Sequence, residues 1–200
     1  MVNNTKQKVM DTATSLFFQK GFHGTSVRDI AEKASVNVSL ISYYFKHKQG
    51  LLEYVVTTYY EAYLNDMEEV MEQTQTNSSM DRLKALIATI IQYKQTHHQL
   101  TCFIQRELSL DSVFVREITV TYLAKENHFL KETFYQLMPS TNVKKADQPF
   151  YFMQLKGMLM TPYVMQHEWK HHVVGEKSET LFVNRYVKTI HRWLEYVLAT

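Results

Sequence analysis

Glycine and proline are scarce in this chain, at 5 and 3 of 200 residues. A sandwich or barrel of short strands needs a turn roughly every 8–12 residues, so this scarcity argues against such folds and for long helices. Cys102 is the only cysteine, which leaves no intrachain disulfide and suits a reducing compartment. No run approaches the roughly 18 uninterrupted apolar residues of a membrane helix, and the stretch from Met1 to Lys6 lacks the apolar core of a secretory signal. A phosphate-cradling glycine loop, a dinucleotide glycine pattern and a Ser/His/Asp arrangement are likewise missing. The expectation is a cytoplasmic, all-α, non-enzymatic protein with no membrane contact and no cofactor.

The small net charge of +2 hides an asymmetry. Residues 1–50 carry seven bases (Lys6, Lys8, Lys20, Arg28, Lys33, Lys46, Lys48) against three acids (Asp11, Asp29, Glu32), a net +4. The remainder carries fifteen bases against seventeen acids, a net −2. A basic segment on a mildly acidic body is the footprint of a polyanion-binding head.

Within that segment Val9, Ala13, Leu16 and Phe17 recur on one helical face. The helix ends near Lys20, where Gly21 supplies a left-handed cap. Thr25 or Ser26 can cap a second helix, with Asp29 placed to reciprocate Ser26. That helix has a small apolar inner face: Val27, Ile30, Ala31 and Ala34. A short turn, Ser35 to Asn37, precedes a third helix from Val38 to Phe45, capped by Asn37. Two short helices joined by a tight turn form a helix-turn-helix. On the third helix Ile41 and Phe45 pack inward. Val38, Ser39, Leu40, Ser42 and Tyr43 point elsewhere, and two hydroxyls, an aromatic ring and small apolar groups can read base edges and thymine methyls. Tyr44, Lys46 and Lys48 follow, where they can hold phosphates. The plainer alternative is a three-helix cap that binds nothing.

The run from Gly21 to Ala34 (GFHGTSVRDIAEKA), then Val36, then Tyr43 to Leu52 (YYFKHKQGLL), resembles the DNA-binding domain of the TetR family. The resemblance covers about residues 5–52. It implies a three-helix reading head over residues 1–47 and a helical dimerisation and regulatory domain over residues 48–200. It also implies that Thr25, Tyr44 and Lys48 contact phosphates and that residues 38–43 form the recognition helix. Ser35 departs from the glycine usual in the turn, and Ser42 from a common aromatic.

The body reads as further helices. Leu52, Val55, Val56, Tyr59, Tyr60, Tyr63, Met67 and Met71 form a buried stripe, and residues 73–79 are turn-like. Helical periodicity resumes from Asp81 to about Tyr93, breaks near His97, and continues from Leu100 to Leu108. Asp111 can cap one long helix reaching Met138. Residues 150–165 are apolar nearly all round, so that helix is buried on more than one side, and Pro162 should kink or end it. Gly175 marks a break before a last helix, about Glu179 to Leu198. The two long C-terminal apolar helices are expected to form a homodimer interface through Phe152, Leu155, Leu159, Phe182, Tyr186, Ile190, Trp193 and Val197.

Short body segments add a finer resemblance: Ile41 to Lys46, His98 to Phe103, Arg106 with Glu107, Asp111 with Ser112, Arg116 to Ile118, Thr121 to Glu126, Gln154 to Lys156, and Leu159 to Tyr163. They are similar to the RefZ-like branch of the family, which binds palindromic chromosomal sites and regulates the division protein FtsZ. That resemblance implies a nucleoid-associated regulator whose body meets a protein, with Arg106, Arg116 and Glu117 as candidate contacts. An effector-responsive repressor, with a small molecule in a closed apolar cavity, is the alternative. His167, Glu168 and His171 match the H-E-x-x-H spacing of zinc peptidases. A catalytic zinc also needs a third ligand and a cleft. Glu176, Glu179 and His191 have no supporting context, so no metal is expected.

Overall fold

The computed structural model describes residues 2–108, 113–169 and 178–198. Among them the chain is helical and contains no strand. Helix α1 spans Val2–Lys20, α2 Val27–Ala34 and α3 Val38–Phe45. The body comprises α4 Lys48–Gln73, α5 Ser79–Thr96, α6 His98–Glu107, α7 Val113–Ile118, α8 Ala124–Leu137, α9 Gln148–Val164, α10 Gln166–Trp169 and α11 Ser178–Leu198. The breaks follow local chemistry. Gly21 sits at φ +75° after α1, and its N–H donates to the Phe17 carbonyl at 2.9 Å. Ser26 and Asp29 form a complete capping box at α2, and Ser78 caps α5 by accepting from the Asp81 N–H.

One core runs through head and body. Val9, Ala13, Leu16, Phe17, Ile30, Ala31, Ala34, Ile41 and Phe45 are buried in the head, as the periodicity requires. Phe17 stacks on Phe103 of α6, with centroids 5.4 Å apart, which joins the head to the body. The body centre is filled by tyrosines. Tyr60 stacks on Tyr122 at 5.0 Å, Tyr93 donates its hydroxyl to the Tyr59 carbonyl at 2.7 Å, and the Tyr59 hydroxyl meets that of Thr101 at 3.0 Å.

One expectation for the body helices changes. The single helix expected from Asp111 to Met138 is interrupted by a π-helical turn, Thr119–Leu123. Three β-branched residues in succession (Thr119, Val120, Thr121) weaken α-helical pairing there. Pro162 lies inside α9, which runs two residues past it and ends at Val164. The proline has no N–H to give the Met158 carbonyl. That carbonyl instead accepts from the Tyr186 hydroxyl of α11 at 2.7 Å. The Asp111 cap, His171, Gly175 and Glu176 lie outside the described residues.

Ser35 adopts φ 52°, ψ 47°, the left-handed conformation that disfavours a residue with a Cβ. Ser35→Gly is therefore expected to raise the unfolding free energy by roughly 0.5–1 kcal/mol, the relieved strain outweighing the entropy glycine gains in the unfolded chain. Urea denaturation measures it, and an unchanged or lower midpoint would count against strain at this turn.

Candidate nucleic-acid interface

Helix α3 is held by its own sequence and by α4. Asn37 caps it, accepting from the Ser39 N–H at 2.9 Å and from the Ser39 hydroxyl at 2.9 Å. With that proton engaged, Ser39 Oγ is left as a lone-pair acceptor. Ile41 and Phe45 anchor the inner side. At the far end Gly50 permits a close approach of α4, since a Cβ there would sit 2.3 Å from the Phe45 carbonyl oxygen. His47 caps α4 through its Nδ1, which accepts the Gly50 N–H at 3.0 Å.

The outer side of α3 carries most of the side chains expected to face the base edges. Val38, Ser39 and Ser42 are exposed, Leu40 is half-buried, and Tyr43 is 80% exposed. The Tyr43 ring lies edge-on to Tyr44 at 5.2 Å, which limits its swing. Tyr44 is half-buried against the core. Lys46 is exposed and holds φ 65°, outside the helix, so it projects from the end of α3. Lys8, Lys20, Arg28 and Lys33 are also exposed on the head.

Several predicted contacts are placed differently. Thr25 is 1% exposed, and its hydroxyl donates to the Gly21 carbonyl at 2.8 Å. That hydroxyl closes the α1–α2 turn. Lys48 is half-buried and donates to the carbonyls of Phe22 and Thr25, both at 2.8 Å, with the Phe22 ring 4.2 Å away. Two of its three N–H groups thus tie α4 to that turn, leaving one for an anion. Lys6 is drawn onto the Tyr54 ring at 3.7 Å, a clamp that charge counting did not reveal. Carbonyl acceptors and ring faces are set by tertiary packing and leave no mark in sequence spacing.

The expected dimer contacts also divide. Phe152, Leu155, Leu159 and Ile190 are buried in the subunit's own core, and Phe182, Tyr186, Trp193 and Val197 are half-buried against it. The first four fill the subunit's own core. On the other side of α9, Phe150, Met153, Met160 and Val164 are exposed, with Gly157 between them. Their steps of 3, 4, 3 and 4 residues make a seam, and a Cβ at Gly157 would meet nothing within 4 Å. Leu181 and Tyr196 are exposed on α11. Arg106, expected at a partner surface, points its guanidinium at the end of α1. Arg116 and Glu117 are exposed, and Glu117 lines a groove of about 240 Å³ with Glu53 and Tyr122.

Two larger clefts open to solvent. One, of about 620 Å³, lies between α5 and α11 and includes Asp66, His97, Lys188 and His191. The other, of about 560 Å³, lies between α1, α4 and the α5–α6 junction, with Gln7, Asp11, Tyr59 and His98 among its walls. Burial holds His97 and His191 below the usual imidazole range. The described residues form no group of three or more metal-ligating side chains, and no described helix is long and apolar enough to cross a membrane.

Residues 9–55 match the model for bacterial regulatory proteins of the tetR family. The chain is 38% identical over 202 residues to the Probable HTH-type transcriptional regulator YttP of Bacillus subtilis (strain 168), covering 98% of this chain and 95% of that one. Among solved structures, a linker-substituted HlyIIR mutant superposes with a TM-score of 0.71 at 20% identity, over 94% of this chain and 97% of the other. FadR from Bacillus subtilis, in complex with stearoyl-CoA, gives 0.64 at 19% identity, over 91% and 95%.

Proposed function

The chain belongs to the TetR family of bacterial regulatory proteins, and from that premise we propose that it is a homodimeric DNA-binding regulator that reads palindromic sites with α3. The exposed Ser39, Ser42 and Tyr43 on a helix anchored by Ile41 and Phe45 carry this reading. Two such helices must lie roughly 34–36 Å apart, or a multiple of it, to enter successive major grooves. Lys46 and the exposed head bases supply salt-dependent affinity, and base contacts supply the sequence preference. Ser39, presenting an acceptor, suits the amino group of adenine or cytosine. Ser39→Ala should relax preference at one base pair per half-site by about 1 kcal/mol, roughly fivefold, with little change elsewhere. Selection from randomised duplexes reads this out, and an unchanged preference after both Ser39→Ala and Tyr43→Ala would remove α3 as the reading helix.

We place the protein in the RefZ-like, nucleoid-associated branch, its body meeting FtsZ through a surface that includes Arg116 and Glu117. The tyrosine-filled body centre supports a protein-contacting role over an enclosed small-molecule site. Mapping bound chromosomal sites in cells by crosslinking and sequencing tests it: a few dispersed palindromes, many outside promoters, are expected. One strong promoter site beside its own gene would favour the effector-controlled repressor. That second reading is carried by the open cleft between α1, α4 and the α5–α6 junction, which touches head and body together. No lysine or arginine among the described residues lines it, so an acyl-CoA, the kind of ligand held by FadR, would lack a counter-charge from them for its phosphates.

A further inference from the structure

We propose that Arg106 fixes the half-site spacing the protein accepts, by locking the end of α1 onto α6; this rests on the dimeric DNA-binding reading above. The last carbonyls of a helix carry its negative dipole end, and each keeps a second lone pair even where, as at Phe17, the Gly21 N–H already donates to it. Arg106 Nη2 donates to the Phe17 carbonyl at 2.8 Å and Nη1 to the Phe18 carbonyl at 3.4 Å. Its guanidinium carbon lies 5.7 Å from the Phe103 ring centre, and that ring stacks on Phe17. Further along the same helix the His98 ring meets Phe18 edge-on at 6.3 Å. Three α6 side chains thus grip the last turns of α1.

Helix α6 also packs on α9, which bears the exposed apolar seam. It is therefore a spacer between the proposed dimer seam and the head. The head is also attached to α4, where α3 runs into it through Lys46 and His47, where Lys48 donates to the Phe22 and Thr25 carbonyls, and where Lys6 lies over the Tyr54 ring. All of these contacts are to α4, which serves as a single pivot. A second grip, on α1, removes the rotation and so fixes where each α3 stands relative to the seam. The planar fork reaches two successive carbonyls, which an ammonium cannot do with the same geometry.

The test is selection of bound duplexes from a randomised pool by the full chain, by Arg106→Gln and by Arg106→Lys. The natural chain should enrich one spacing. Arg106→Gln should retain the half-site sequence while the penalty for moving the half-sites by one base pair falls from about tenfold to about twofold. Arg106→Lys, which keeps the charge, should fall between and keeps the proposal testable if the glutamine variant does not fold. If both variants select the natural spacing as sharply as the natural chain, the proposal is overturned. A changed half-site sequence also overturns it, because Arg106 would then be shaping the head itself. A natural-chain pool without two-fold symmetry overturns the dimeric reading, and this inference with it.

Discussion

Glu126→Ala is expected to lower the unfolding free energy by about 3–5 kcal/mol. Glu126 and Lys94 lie in the body core at 9% and 3% exposure, with Lys94 Nζ 3.2 Å from the carboxylate. The ammonium also lies 5.6 Å from the Tyr63 ring centre. Removing the carboxylate leaves a cation buried among tyrosines and aliphatic side chains, without its counter-charge. The Tyr63 ring offsets only part of that desolvation, since a desolvated cation–π contact is worth about 2 kcal/mol or somewhat more. The pair as a whole is a different matter, because desolvating two charges nearly cancels their attraction. The double replacement Lys94→Met, Glu126→Leu should therefore recover most of the loss. Urea or guanidinium denaturation of the single and double variants checks both statements. A double variant as unstable as Glu126→Ala would show that packing, and not the orphaned charge, sets the cost.

Met153→Glu should separate the subunits and reduce affinity for a palindromic site by about 100-fold or more, because a dimer gains the second half-site at high effective concentration. Met153 is 64% exposed in the subunit, within the α9 seam. A carboxylate there leaves the monomer's own core untouched and places a charge at the centre of the contact on each side of a two-fold axis. Phe152→Ala, one residue away, is the contrast. Phe152 is buried in the subunit core, so its truncation should cost about 3–5 kcal/mol of stability and act on dimerisation only through the fold. Sedimentation and fluorescence anisotropy with a selected duplex distinguish the two. A Met153→Glu variant that remains dimeric and binds as before would move the seam elsewhere.

Much of this molecule was legible along the chain because its punctuation is local. Gly21, Ser26 with Asp29, and Asn37 each act on backbone groups within four residues, so the head helices and their order follow from short-range chemistry. The inward face of the head follows from helical period alone, as Val9, Ala13, Ile41 and Phe45 show. So does the outward set on α3, since fixing Ile41 and Phe45 inside leaves Ser39, Ser42 and Tyr43 outside.

Tertiary structure decided what periodicity leaves degenerate. Helix α9 is apolar on both sides, and an all-round apolar helix does not say which stripe serves its own subunit. Packing assigned Phe152, Leu155 and Leu159 to the core and left Phe150, Met153, Met160 and Val164 outside. Side chains that end on distant carbonyls were equally hidden. Lys48 reaches Phe22 and Thr25, Arg106 reaches Phe17 and Phe18, and Tyr186 reaches the Met158 carbonyl opposite Pro162. A cation looks the same in sequence whether it will meet a phosphate or a helix end. Local hydrogen bonding and periodic burial are written into neighbouring residues, whereas the pairing of long side chains with remote backbone exists only once the helices have packed.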